Sequence, residues 1–119
     1  SRPDATAVEA IEAVCGEREV LGRRGRTWTT DAFFRETPAI VQRRRREGCV
    51  TVEMEAAAFF AVAHFRRVRL GQILYAGDDV SGQEWDPRGW SRHSSRRLVL
   101  EIALAAARRL ANRAPLPRL

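Results

Sequence analysis

Residues 50–58 read Val-Thr-Val-Glu-Met-Glu-Ala-Ala-Ala, a short β-prone apolar run that passes into a helix-forming run through two carboxylates and a methionine. Glu55 would open that helix. There its negative charge is stabilised by the helix dipole, and its oxygens can accept two hydrogen bonds from a vicinal diol such as that of a sugar. Met54 offers a soft apolar surface to a sugar face, and Glu53 completes the set. Two further points carry ligand-capable side chains where a strand gives way: Thr30 to Phe34, and Asp78-Asp79 in the sequence Gly-Asp-Asp-Val-Ser-Gly. In open α/β folds the crevice outside the carboxyl ends of the strands is where ligand groups collect. Taken singly, each residue has a plainer role: a first-turn carboxylate for Glu55, a core filler for Met54 and a turn-forming side chain for Asp78.

The elements that must position these residues follow in order. Pro3-Asp4 begins a helix with Val8, Ile11 and Val14 or Cys15 on its apolar stripe and Gly16 as its stop. Glu19 to Leu21 reads as a short extended piece, and Arg26 to Thr30 as a strand rich in β-branched and aromatic residues. Thr37-Pro38 is a cap followed by proline at the first helical position, predicting a helix to about Glu47 that Gly48 ends. Cys49 to Val52 is the strand that feeds Glu53. The helix from Glu55 to Phe65 is apolar almost all round, which predicts burial.

Arg69 to Ala76 reads as a third strand, with Asp78 in the loop at its carboxyl end. A polar segment holding Trp85 and Trp90 leads to a last helix, about Ser94 to Ala111, with Leu98, Ile102, Ala105 or Ala106, and Leu110 on one face. The prolines at 115 and 117 stop it, and residues 113–119 form a tail. Strands alternating with helices predict an α/β fold of three layers, with a mainly parallel or mixed sheet between flanking helices. Three strands make a small sheet for that class, so further strands are expected ahead of Ser1. The 119 residues form a single domain or part of one.

The 21 basic residues other than histidine are all arginine and give a formal charge of +6. They are scattered apart from Arg43 to Arg46, which would close a helix at the negative end of its dipole. No aromatics for base stacking are interleaved there, so nucleic acid is not expected as a partner. Cys15 and Cys49 lack metal-ligand spacing and are expected as reduced thiols, with no metal and a cytoplasmic location. No apolar run reaches the ~20 residues of a membrane helix, and no membrane partner is expected. His64 is expected as a packed or edge histidine, and His93 as solvated.

Together these motifs resemble the nucleoside phosphorylase and nucleosidase superfamily, of the purine nucleoside and uridine phosphorylase type. Val52-Glu-Met-Glu-Ala-Ala is similar to its ribose-binding signature. Phe33, 21 residues before Met54, is similar to the aromatic of its base pocket, and Asp78, 23 residues after Glu55, to its catalytic aspartate. The likeness covers about residues 19–108. It implies cleavage of the N-glycosidic bond of a nucleoside, with Glu55 on the ribose hydroxyls, Met54 on the sugar and Phe33 on the base. Asp78 would be the general acid, held neutral by burial or by Asp79, with Arg88 or Arg92 assisting.

The chain departs from the pattern at Gly77, where many purine enzymes have serine, and in the tryptophan-containing loop from Ser81 to Trp90. No long insertion separates Phe33 from Met54, which favours a purine over uracil. The resemblance implies no cofactor beyond phosphate as co-substrate, and a homo-oligomer. The family's phosphate-binding turn has no match here, so hydrolysis by a nucleosidase stays open beside phosphorolysis. Two other classes also stay open: a noncatalytic or truncated module that works only within an oligomer or longer protein, and an arginine-driven nucleic-acid module.

Overall fold

Asp4 starts the chain's first helix as the sequence predicts: its Oδ1 accepts from the Ala7 N–H at 2.9 Å, satisfying one of the donors left unpaired in a first turn. In the computed structural model, which describes residues 2–76 and 92–113, this helix is α1, Ala5–Glu17. It is followed by strand β1 (Arg26–Thr29), a 3-10 turn at Phe33–Arg35, helix α2 (Pro38–Arg46), strand β2 (Cys49–Glu53), helix α3 (Ala56–Arg66) and helix α4 (Arg92–Ala111). The architecture is α/β, among the described residues a small parallel two-stranded sheet with flanking helices.

Gly16 does not stop α1. The helix runs one residue further and closes on a Schellman pair, Glu19 N–H to Gly16 O at 3.2 Å and Val20 N–H to Cys15 O at 2.9 Å, with Glu19 itself at φ 54°. Hydrogen bonds to the last carbonyls thus outweigh the weak helix propensity of Gly16. Residues 19–21 form no strand, and the Leu21 side chain is wholly exposed. Gly48 does end α2, at φ +85°, where a side chain would be strained.

The strands pair in parallel with Trp28 opposite Val52 and Thr29 opposite Glu53. The register shifts by one residue between Arg26 and Thr27, which leaves Val50 as the extra residue of β2. Val50 fills the space beside Gly25, where any β-carbon would collide with its side chain. Arg44 lies over Trp28, its guanidinium 5.6 Å from the ring centroid. Arg43 and Arg44 both pair with Glu47, and the Arg44 hydrogen bond holds the Glu47 carboxyl below its ordinary value. The arginine run therefore serves the end of α2, as expected.

The best-packed region lies between α1 and α4. Ala10, Val14, Ile102 and Ala106 are buried there, with Ile11, Cys15, Val20, Ile73, Ala105 and Leu110 around them. Short alanine side chains let the two helices approach closely. Leu98, expected on this face, is 37% exposed at its margin. Glu101 of α4 accepts hydrogen bonds from Arg97 and Arg18, each at 3.0 Å, and both bonds lower its carboxyl from the ordinary value. Arg109, further along α4, pairs with Glu17, the residue before Arg18.

Two sequence expectations are corrected here. Residues 69–76 form no strand among the described residues. Alternation alone makes a strand only where a neighbouring edge supplies ladder hydrogen bonds, and here the run lies against α1 instead: Leu70 O accepts from the Asp4 N–H at 2.9 Å, and Ile73 packs on the α1–α4 core. Helix α3 is also less covered than its composition suggests. Ala56 and Ala63 are buried, while Phe59, Val62 and Phe65 are exposed because no described element lies over that face.

Gly71 marks the tightest crossing of the 69–76 run over α1. A β-carbon there would stand 2.8 Å from Ile11 Cδ1 and 3.2 Å from Ala7 Cβ, and Ala7, with no flexible side chain, can give way only by a shift of α1. Gly71→Ala is therefore expected to destabilise the fold by about 1–3 kcal/mol, as overpacking does, read as a lower urea midpoint at unchanged slope.

Candidate functional site

The site forms where both strands end. Parallel pairing directs the carboxyl ends of β1 and β2 to the same edge, so Glu53-Met54-Glu55 and the turn bearing Phe33 leave the sheet side by side. Thr30 is buried at this point and fixes the exit from β1. Its N–H donates to Glu53 O at 2.9 Å, and its Oγ1 donates to Ala32 O at 3.1 Å. Phe33 and Phe34 follow, exposed, with their rings edge to face at 5.6 Å between centroids.

The two glutamates have different surroundings. Glu53 is partly buried and both its oxygens are engaged. Oε1 accepts from Thr29 Oγ1 at 2.5 Å, and Oε2 accepts from the N–H groups of Glu55 at 2.8 Å and Ala56 at 2.5 Å. Thr29 Oγ1 in turn accepts from the Ala57 N–H at 3.1 Å. Three consecutive N–H groups at the start of α3 are thereby satisfied by side chains that come from the ends of the two strands. Glu55 stands at the cap position of α3 and is exposed. Among the described residues, its carboxylate meets only the Met54 N–H, at 3.3 Å. Met54 is 48% exposed beside it.

Of the residues singled out from sequence, Phe33, Glu53, Met54 and Glu55 thus share one edge of the sheet. Asp78 and Arg88 lie outside the described residues. Arg92 is the first residue of α4, and its side chain also lies outside them. The segments that flank 77–91 are joined directly, because Arg96 Nε donates to Tyr75 Oη at 3.1 Å. His64 sits exposed in the last turn of α3, an edge histidine, and Cys15 and Cys49 are free thiols. Sequence reasoning gave Thr29 no role beyond the strand. The signal it offered was a hydroxyl at the last position of a strand, and its partner becomes visible only once the register is known.

A profile of the phosphorylase superfamily matches residues 1–114. The chain belongs to that superfamily. Curated relatives are similar over much of its length. The chain is 31% identical to a purine nucleoside phosphorylase DeoD-type of Dichelobacter nodosus, over 92% of this chain and 46% of the relative. It is 34% identical to the protein of that name from a Jannaschia species, over 70% of this chain and 35% of the relative. For the Hahella chejuensis protein of that name, identity is 30% over 87% of this chain and 44% of the relative. This phosphorylase-superfamily chain thus spans about half the length of the curated relatives it matches. No solved structure gives a significant match. Among the described residues, no helix is long and apolar enough to cross a membrane.

Proposed function

We propose that this chain supplies the nucleoside-binding side of a phosphorylase-superfamily site and takes part in cleaving the N-glycosidic bond of a purine nucleoside. The observation that carries the reading is the unequal state of the two glutamates. Glu53 is engaged by the protein, whereas Glu55 presents an exposed carboxylate at a helix N-terminus beside Met54. Such a carboxylate can accept both hydroxyls of a ribose. Met54 then lies on the sugar and Phe33 on the base. All three relatives are named as purine nucleoside phosphorylases, which supports a purine.

In the proposed reaction the bond from the sugar's anomeric carbon to the base nitrogen breaks, and its electron pair goes to the base. A proton from Asp78 neutralises the charge that develops there, with Arg88 or Arg92 assisting. A new carbon–oxygen bond forms to phosphate in phosphorolysis, or to water in hydrolysis. The free cysteines suit a reducing cytoplasm. A second reading, activity only within a homo-oligomer or a longer protein, is favoured by the exposed Phe59, Val62 and Phe65 of α3.

Thermal unfolding with and without a purine nucleoside tests the proposal. Nucleoside at a hundredfold excess over its Kd should add about 2.7 kcal/mol, a rise of roughly 10 °C in Tm for a domain of this size. A melt unchanged at millimolar nucleoside overturns the proposal for the chain alone. A response that grows with protein concentration supports the second reading.

A further inference from the structure

Resting on the functional reading above, a further role falls to a residue outside the family-like motif. We infer that Thr29 is a positioning residue: its hydroxyl holds the Glu53 carboxylate across the start of α3, and so leaves Glu55 as the carboxylate that faces the ligand.

A threonine hydroxyl has one proton to give and lone pairs to receive. Thr29 gives its proton to Glu53 Oε1 at 2.5 Å and receives the Ala57 N–H at 3.1 Å. Glu53 Oε2 meanwhile receives the Glu55 and Ala56 N–H groups. The hydroxyl therefore closes a network that ties the last residue of β1 to the last residue of β2 and to the first two residues of α3. Register makes this possible, since Thr29 and Glu53 are direct partners in the parallel ladder.

Without the hydroxyl, Glu53 Oε1 loses its donor and the Ala57 N–H loses its acceptor. The Glu53 side chain can then rotate towards solvent, taking its bonds to Glu55 and Ala56 with it. Two consequences follow for the site. The backbone at Glu55, which aims the ligand carboxylate, is no longer fixed from β1. A second negative side chain also becomes free to turn into the same space, where it competes for the same hydroxyls and repels the first. A group held by packed elements keeps its geometry far better than one left to its own rotamers.

The test compares Thr29→Val, which keeps the β-branched shape and removes the hydroxyl, with Thr29→Ser, which keeps the hydroxyl. Amide hydrogen exchange at Glu55, Ala56 and Ala57 reads the network directly. In Thr29→Val, exchange at Ala57 should quicken by roughly five- to tenfold, the loss of one intramolecular hydrogen bond. Nucleoside affinity should fall by a similar factor, and Thr29→Ser should restore both. Unchanged exchange at all three amides in Thr29→Val overturns the inference, as does a Thr29→Ser variant that behaves like Thr29→Val. If Thr29→Val does not fold, Glu53→Gln replaces it, because a carboxamide has one oxygen and cannot receive both sets of donors. A wild-type chain with no nucleoside response would sink the functional proposal, while the exchange measurement would still decide whether Thr29 holds Glu53.

Discussion

Glu55→Gln is expected to weaken nucleoside binding by roughly ten- to a hundredfold, since hydrogen bonds to a charged group contribute about 1.5–3 kcal/mol more than no bond at all and a carboxamide retains only part of that. The chain's unliganded stability should change little. Glu55 is exposed, and among the described residues its carboxylate makes one long contact, to the Met54 N–H at 3.3 Å. Loss of its charge at the α3 N-terminus costs a few tenths of a kcal/mol, up to about 1. The ligand-induced rise in Tm therefore collapses while the starting Tm stays within a few degrees. The contrast with Glu53→Gln makes the result specific. That change removes an acceptor used by Thr29, Glu55 and Ala56, so it should lower the unliganded Tm as well. A Glu55→Gln chain that binds nucleoside as tightly as the wild type would remove the carboxylate from the proposed site.

How much of this arrangement the sequence displays depends on whether a feature is local. The Asp4 cap, the Thr37-Pro38 start of α2, the Gly48 stop and both paired strands follow from residues adjacent in the chain. The Glu53-Met54-Glu55 junction was legible for the same reason, because a β-prone run passes straight into a helix-forming one. The division of labour between the two glutamates was not. It depends on Thr29, which stands 24 residues before Glu53 and meets it only through the ladder. The failures have the same cause in reverse. Residues 69–76 have a strand's composition, yet a strand needs a neighbour, and this run finds α1. Helix α3 has a buried helix's composition, but burial is set by what lies opposite, and Phe59, Val62 and Phe65 face none of the described elements.

The same dependence on partners makes Ile102→Ala the substitution with the largest expected effect on stability, about 2–5 kcal/mol. Ile102 is 2% exposed and sits at the centre of the α1–α4 contact with Ala10, Val14 and Ala106. Ala10 and Ala106 are too short to reach into the space an alanine would leave, so only the longer side chains around the cluster, Ile11, Ile73 and Leu110 among them, could fill it. At the surface the same two helices are bridged by Arg18 on Glu101 and by Arg109 on Glu17. The less those side chains shift into the space, the further the cost lies towards the upper part of that range. Against a total of roughly 5–15 kcal/mol for a domain of this kind, the loss is large enough to show as a strongly lowered urea midpoint. Leu100→Ala on the same helix is the control: Leu100 is 60% exposed, and its truncation should stay within about 0.5 kcal/mol. Equal midpoints for the two variants would mean that α1 and α4 do not form the main core. In that event the 69–76 run, which rests on them through Gly71 and Ile73, would lose its support as well.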